Sequence, residues 1–143
     1  MADACEAHGF TVPELSARAQ SALRPLMPLF GSAGNPVDVT AQMVTGGSIA
    51  TVLRTLCASG EVDAAVVVTS LAAPDLLRRE SGALRVVLAE LATPVVIYSY
   101  TVPGEPSLEL LRQLPVPWYP SPRRAARALR ALARPGASPR AKL

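Results

Sequence analysis

The sequence predicts a doubly wound α/β domain built on a parallel sheet. Three observations carry this. Ala64-Ala65-Val66-Val67-Val68 is a continuous, largely β-branched apolar run, the mark of a strand covered on both faces. A second apolar run, Pro94–Tyr100, follows a segment, Ala73–Leu91, whose leucines and valines recur at helical spacing. Strand and helix alternate along the rest of the chain, the order that winds helices over both faces of a sheet.

Size and composition agree with that class. The chain has 143 residues, half of them hydrophobic and 17% charged, enough apolar material for one packed domain and too much for a disordered one. No apolar run reaches membrane-spanning length. The N-terminus carries Asp3 and Glu6 with no basic stretch, unlike a secretory signal. Cys5 and Cys57 read as reduced core thiols, not as a disulfide framework or a metal site, and a cytoplasmic location is expected. The net charge of +3 hides an asymmetry. Residues 1–120 hold 7 Arg and 11 acidic side chains, whereas residues 121–143 hold 6 Arg, 1 Lys and no acid. The basic character belongs to a tail, which argues against a nucleic-acid-binding fold.

In order, Met1–His8 reads as the last turns of a helix ended by Gly9. Phe10–Val12 is a short strand broken by Pro13. Leu15, Ala19, Leu23 and Leu26 form a helical stripe that Pro25 and Pro28 close. The stretch Gly34–Leu56 then reads as a short strand (Val37–Val39), a loop and a helix. Asn35-Pro36 forces an extended or turn entry. Gly46 and Gly47 allow a tight turn, Thr45 or Ser48 caps the helix, and Ile49, Val52, Leu53 and Leu56 bury its inner face. A glycine-led helix start points unpaired N–H groups and the positive dipole end outward, which suits a phosphate; it also suits an ordinary Gly-Gly-Ser cap.

Val62–Thr69 is the next strand. The helix Ala73–Leu91 follows, with Leu76, Leu77, Leu84, Val87, Leu88 and Leu91 as its buried stripe and Ser81-Gly82 as its weak point. After strand Pro94–Tyr100 come a Pro103–Pro106 turn, a short helix Ser107–Leu114, a last strand Val116–Tyr119 and a helix Arg123–Ala133 led by Ser121-Pro122. Residues 1–134 make the domain and 135–143 an unstructured basic tail. The strand ends at Thr69-Ser70-Leu71 and Ser99-Tyr100-Thr101 share a rim with the loop before Ser48, where open parallel sheets bind ligands.

Three segments stand in a telling order: Ala-Asp-Ala-Cys-Glu-Ala-His-Gly at residues 2–9, Gly34-Asn35-Pro36-Val37-Asp38-Val39-Thr40, and Tyr119-Pro120-Ser121-Pro122-Arg123-Arg124-Ala125-Ala126. Together they resemble the second flavodoxin-like CoA-ligase subdomain of NDP-forming acyl-CoA synthetases, relatives of succinyl-CoA synthetase. The resemblance implies part of an ADP-forming acid–thiol ligase. Such enzymes convert an acyl-CoA, phosphate and ADP into the acid, CoA and ATP, through an acyl phosphate and a phosphohistidine. It implies that this subdomain points a helix N-terminus at the phosphohistidine. Thr45, Gly46, Gly47 and Ser48 would hold phosphate, with Asn35, Asp38 and Thr40 as the supporting loop. CoA, ATP or ADP and magnesium are implied for the complete enzyme and none for this chain alone, since the CoA-binding, histidine-bearing and ATP-grasp parts would be its partners.

The resemblance also implies a flavodoxin-like sheet lacking its first strand, because Met1 falls inside what should be the first helix. In the order 2-1-3-4-5 that strand is central. Without it Phe10–Val12 and Val37–Val39 are expected to leave unpaired backbone groups at roughly 1–3 kcal/mol each, with Met1–Val12 the least anchored part. The chain alone should then be marginal, aggregating, dimerising through open edges or needing a partner strand.

Other constellations carry less. His8 beside Gly9 does not match the family's phosphorylated histidine and reads as a helix-end residue. Arg123, Arg127, Arg130 and Arg134 share one helix face and read as solvated, with Leu129 and Leu132 packing opposite. Ser70, Ser99 and Ser107 lack a nucleophile elbow or a basic partner, so no catalytic residue is assigned. Asp38 and Asp75 lie toward the ligand rim, Asp38 bonded to its own loop, and no ligand set for a metal is spaced in the sequence. The alternative function is non-catalytic: a small-anion or protein-interaction module, such as the regulatory CoA-ligase-like part of a protein acetyltransferase, or a degenerate remnant. Neither nucleic acid nor membrane is expected as a partner.

Overall fold

The computed structural model describes residues 1–40, 48–133 and 141–143. Helix α1 (Ala2–Glu6) ends at Gly9, whose φ of +83° is the left-handed turn that glycine adopts without strain, and leads into β1 (Phe10–Thr11). Helix α2 (Ala17–Leu23) is capped by Ser16, whose Oγ accepts the Ala19 N–H, and closes in a 3-10 turn, Arg24–Leu26, around Pro25. Then come α3 (Ile49–Ala58), β2 (Ala65–Thr69), α4 (Asp75–Glu90), β3 (Val95–Ser99), α5 (Glu105–Leu111), β4 (Trp118–Tyr119), α6 (Pro122–Leu132) and β5 (Ala141–Lys142). Ser81-Gly82 does not interrupt α4, because Leu77, Leu84 and Val87 hold the helix to the sheet on either side of it.

The architecture is the flavodoxin-like, doubly wound α/β class. Strands β2, β3 and β4 form a parallel sheet in that order, with a five-residue ladder from Ala65↔Val95 to Thr69↔Ser99. Strand β1 pairs in parallel with β5, Phe10 opposite Ala141 and Thr11 opposite Lys142. The two sheets are joined through β5, since the Lys142 carbonyl accepts the N–H groups of Asp63 (2.8 Å) and Ala64 (3.2 Å). The strands thus run β1, β5, β2, β3, β4 across the molecule. One face is covered by α1 and α6, which bury Cys5, Ala125, Ala126 and Leu129 against Phe10, Ala64, Val96 and Ala141. The other is covered by α3, α4 and α5 through Ala50, Leu77, Leu84 and Leu111. Trp118 and Tyr119 point to opposite faces, as neighbours on a strand must.

The structure corrects four expectations. Val37–Val39 is not a strand of the sheet; Asp38 makes an antiparallel bridge with Ser32, and Val37 and Val39 pack against α2 and α3 instead. The end of the tail is not unstructured, because Ala141–Lys142 is β5 and Ala141 is wholly buried. The central slot of the 2-1-3-4-5 order is therefore filled, flanked by β1 and the lead into β2, and Met1–Val12 is anchored through Cys5 and Phe10. Leu132 is half exposed, since α6 turns Ala125, Ala126 and Leu129 inward and leaves Leu132 at the edge of that face.

Candidate functional site

Two features meet at the carboxyl ends of the central strands. The first is the pair of loops leaving β2 and β3. Thr101 Oγ1 accepts the backbone N–H groups of Leu71 (3.0 Å) and Ala72 (3.1 Å) and lies 3.0 Å from Ser70 Oγ. Ser99, buried at the end of β3, donates its hydroxyl to the Thr101 carbonyl at 2.7 Å. The Gly104 N–H bonds Leu71 O, and a Cβ on Gly104 would stand 2.9 Å from the Ala72 carbonyl, so the loops approach as closely as only glycine permits. The rim is stitched shut by hydroxyls. It is also apolar outside, with Val68, Tyr100 and Val102 exposed.

The second feature is the start of α3. Ser48 is its N-cap and its Oγ accepts the Ala50 N–H at 3.1 Å. The same hydroxyl donates to Glu80 Oε2 on α4. Ile49 and Ala50 share an apolar cluster with Leu71 and Leu77, which places the first turn of α3 beside the loop leaving β2. The positive end of the helix dipole therefore already has a carboxylate bonded to its cap.

Of the sequence-predicted site, Thr45, Gly46 and Gly47 lie outside the described residues. Asp38 and Thr40 come together: Asp38 Oδ1 accepts the Thr40 N–H at 2.8 Å, and Thr40 takes a φ of 53°. Asn35 works elsewhere. Its Nδ2 donates to the Pro13 carbonyl at 3.1 Å and to the Leu143 carbonyl oxygen, tying the loop to β1 and β5. Asp75 stands exposed in the first turn of α4, 3.9 Å from Arg78. Ser107 is buried in α5, and its hydroxyl has no partner among the described residues.

The His8 Nδ1–H donates to the Ala4 carbonyl at 2.8 Å, within its own helix end. Among the described residues no group of three or more His, Cys, Asp or Glu side chains could hold a metal ion. None of their helices is long and apolar enough to cross a membrane. Burial pushes the thiols of Cys5 and Cys57 above their ordinary value, and both are free. Arg123, Arg124, Arg127 and Arg130 are exposed on α6, with the Arg130 guanidinium 5.9 Å from the centre of the Phe10 ring. Sequence reasoning missed Glu80 and the bridging role of Thr101. No local signal marks Glu80, whose partner is 32 residues away; Thr101 lies on the rim already singled out, and a hydroxyl after a buried strand was the available hint.

A doubly wound sheet with a capped helix opening beside its carboxyl rim defines the class. Residues 1–67 match the family model described as Ligase-CoA domain. That match covers a little under half of the chain and includes the Asn35-Pro36-Val37-Asp38 segment, so this part of the chain is similar to a CoA-ligase domain. The fold is that of PH0766 from Pyrococcus horikoshii OT3 (TM-score 0.69, 22% identity, 92% of this chain and 31% of that one). It is also that of the dinucleotide-forming acetyl-coenzyme A synthetase 1 of Ca. Korarchaeum cryptofilum, in the apo form (TM-score 0.66, 21% identity, 92% and 29%). The latter protein in complex with phosphate and ADP is similar as well (TM-score 0.60, 20% identity, 92% and 29%). The chain thus spans about a third of the length of the solved proteins it matches. No curated protein matches its sequence.

Proposed function

We propose that the chain serves as the phosphate-site subdomain of an NDP-forming acyl-CoA synthetase, which converts an acyl-CoA, ADP and phosphate into the carboxylate, CoA and ATP. The observation that carries this reading is the placement of α3. A ten-residue helix opens, through Ser48, beside the carboxyl rim of a parallel sheet, and the residues before it are Thr45-Gly46-Gly47. Such a start stabilises an anion with fixed N–H dipoles and asks no proton transfer of the chain. The Ligase-CoA match and a neighbour described in complex with phosphate and ADP support the assignment.

Magnesium and the phosphate-carrying histidine are assigned in this reading to the CoA-binding, histidine-bearing and ATP-grasp parts of the enzyme. The chain's own contribution is to orient an oxyanion at the α3 start. Glu80 tunes that contribution, since its carboxylate on Ser48 opposes a second anion at close range.

Calorimetric titration with inorganic phosphate tests the reading. The parent should bind weakly, Gly47→Asp at least tenfold more weakly and Glu80→Gln more tightly. In the complete enzyme Gly47→Asp should impair histidine phosphorylation more than CoA binding. A folded Gly47→Asp that binds phosphate as well as the parent does removes the site assignment. The Ser48–Glu80 contact favours a second reading, a non-catalytic interaction or regulatory module whose helix start is neutralised internally. Absence of phosphate binding in both the parent and Glu80→Gln would select it.

A further inference from the structure

Helix α6 carries all of its charge as arginine. Arg123, Arg124, Arg127 and Arg130 are exposed, and no acid stands in its first turn. Among the described residues none of the four is ion-paired; the pairs are Arg54–Glu90, Arg78–Asp75 and Arg112–Glu105. Arg130 lies instead over the Phe10 ring. Arg123 and Arg124 sit at the positive end of the helix dipole, where cations are disfavoured. The fold thus keeps uncompensated positive charge in one place, on a body whose first 120 residues carry 11 acids against 7 arginines.

Helical spacing decides which of these arginines share a surface. Ala125, Ala126 and Leu129 face the sheet, and Arg123 and Arg130 share the flank toward Phe10. Arg124, Ala128 and Leu132 follow at i, i+4 and i+8 on the outer side, with Arg127 and Ala131 beside them. This strip runs from two cations to an apolar end about 12 Å away along the axis. Ala128 and Ala131 are small enough for another backbone to approach closely, and Leu132 is 49% exposed. Leu132 also walls an open cavity of about 310 Å³ at the amino ends of β3 and β4. Leu88, Leu91, Val95, Val116 and Pro117 are among its other walls.

We propose that this strip docks an acidic amphipathic helix of another polypeptide. The carboxylates of that helix lie beside Arg124 and Arg127, and an aliphatic anchor near its other end enters the cavity beside Leu132. It runs antiparallel to α6, because that brings its negative dipole end to the arginines. Charge selects the partner and the anchor sets the register, as in other helix-in-groove recognition. An oligonucleotide suits the strip less well. Its bases would need aromatic rings where the strip offers alanines and a leucine, and the apolar cavity gives a phosphate nothing to bond. The strip lies on the opposite face of the sheet from α3, so the proposal stands apart from the phosphate reading.

The test uses the full chain and a labelled peptide, Ser-Leu-Ala-Ala-Leu-Ala-Ala-Glu-Ala-Ala-Glu-Glu-Ala-Ala-Glu, read by fluorescence anisotropy. It should bind at least tenfold more tightly than a control with glutamine for every glutamate, and more weakly as salt is raised. Arg124→Glu with Arg127→Glu should cost at least tenfold, and a peptide with lysine for every glutamate should regain binding to that variant. Leu132→Asp should also cost at least tenfold. Replacing the peptide's two leucines by alanine makes the matching change without touching the fold of the chain, and the same loss is expected. Equal binding of the glutamate and glutamine peptides overturns the proposal. So does binding that ignores the loss of the leucines, because the attraction is then one of charge alone. A single-stranded oligonucleotide that binds as tightly as the acidic peptide overturns it too. So does a dimer of the chain that Arg124→Glu with Arg127→Glu dissociates, because a second copy then covers the strip.

Discussion

The two halves of the sheet are built by different means. On one side β2, β3 and β4 follow one another through right-sized helices and are packed on both faces, β2 and β3 sharing a five-residue ladder and β3 and β4 a two-residue one. On the other, β1 has two residues in register with the last residues of the chain, about 130 positions away in sequence. The first half is held by side-chain burial. The second is held by short pairs of backbone bonds and by two buried side chains, Phe10 and Ala141, packed with Cys5, Ala125 and Ala126. Local openings concentrate where apolar contacts are few, so the halves should differ in stability although they belong to one sheet.

The largest expected effect is in the well-packed half. Leu77 is wholly buried between α4 and the β2–β4 sheet. Leu77→Ala should cost roughly 2–5 kcal/mol, a large share of a typical stability of about 5–15 kcal/mol. Urea unfolding should show it as a lower midpoint, and the loss should appear equally at amides of β2 and β3. A loss confined to α4 would mean that the helix, not the sheet, is the cooperative unit.

Deleting Ala141–Leu143 probes the other half. It strips partners from the Asp63 and Ala64 N–H groups and from the Thr11 carbonyl, and it empties the core site of Ala141. The expected cost is roughly 2–4 kcal/mol, given about 1–3 kcal/mol for each buried group left unpaired. The difference between the halves sharpens if exchange at Phe10 and Thr11 rises steeply while Val96 and Ile97 keep most of their protection. Uniform loss across all four would show a single cooperative sheet.

This half is also where the sequence was least legible, for a physical reason. The strands β2 and β3 announce themselves because burial on both faces demands continuous apolar runs. The caps at Ser48 and Ser121 are legible because a hydroxyl before an apolar-periodic run has few other uses. Ala141–Leu143 has no such pattern. Its pairing is made by backbone groups that every residue carries, next to a Pro- and Arg-containing stretch that looks solvated. Val37–Val39 misled in the opposite way: alternation around Asp38 suits a strand, but the carboxylate turns back on Thr40 and the valines go to α2 and α3. At the candidate site the rim was legible from the strand ends, and the Ser48–Glu80 bond was not, since it joins two helices whose sequences say nothing of each other.

Thr101→Val tests whether the rim belongs to the stable half. The change keeps the shape and removes the acceptor shared by the Leu71 and Ala72 N–H groups. A cost of about 1–3 kcal/mol is expected, with Thr101→Ser close to the parent because it restores the oxygen. The loss should raise exchange at Leu71 and Ala72 without touching Phe10 or Thr11. Equal stability of the valine and serine variants would mean that water or a rearranged loop satisfies those groups.

The smallest effect lies at the seam between the halves, where Glu61 precedes the lead into β2. Its carboxylate accepts the Ser16 hydroxyl and, at 2.8 Å, the Ser16 N–H, at the cap of α2. The bond from the hydroxyl, then that from the backbone, holds the Glu61 carboxyl below its ordinary 4.5. A carboxyl whose value is depressed on folding stabilises the folded state above its unfolded value and loses that contribution as pH falls through the folded one. The melting temperature of the parent should therefore exceed that of Glu61→Gln by a constant amount above about pH 5, and the gap should narrow below pH 4.5 as the parent is protonated. Solvent screening at this partly exposed side chain keeps the gap small. A gap that does not change between pH 7 and pH 3 would show that Ser16 caps α2 without help from the charge, and that the seam is held by Lys142 and Asp63 alone.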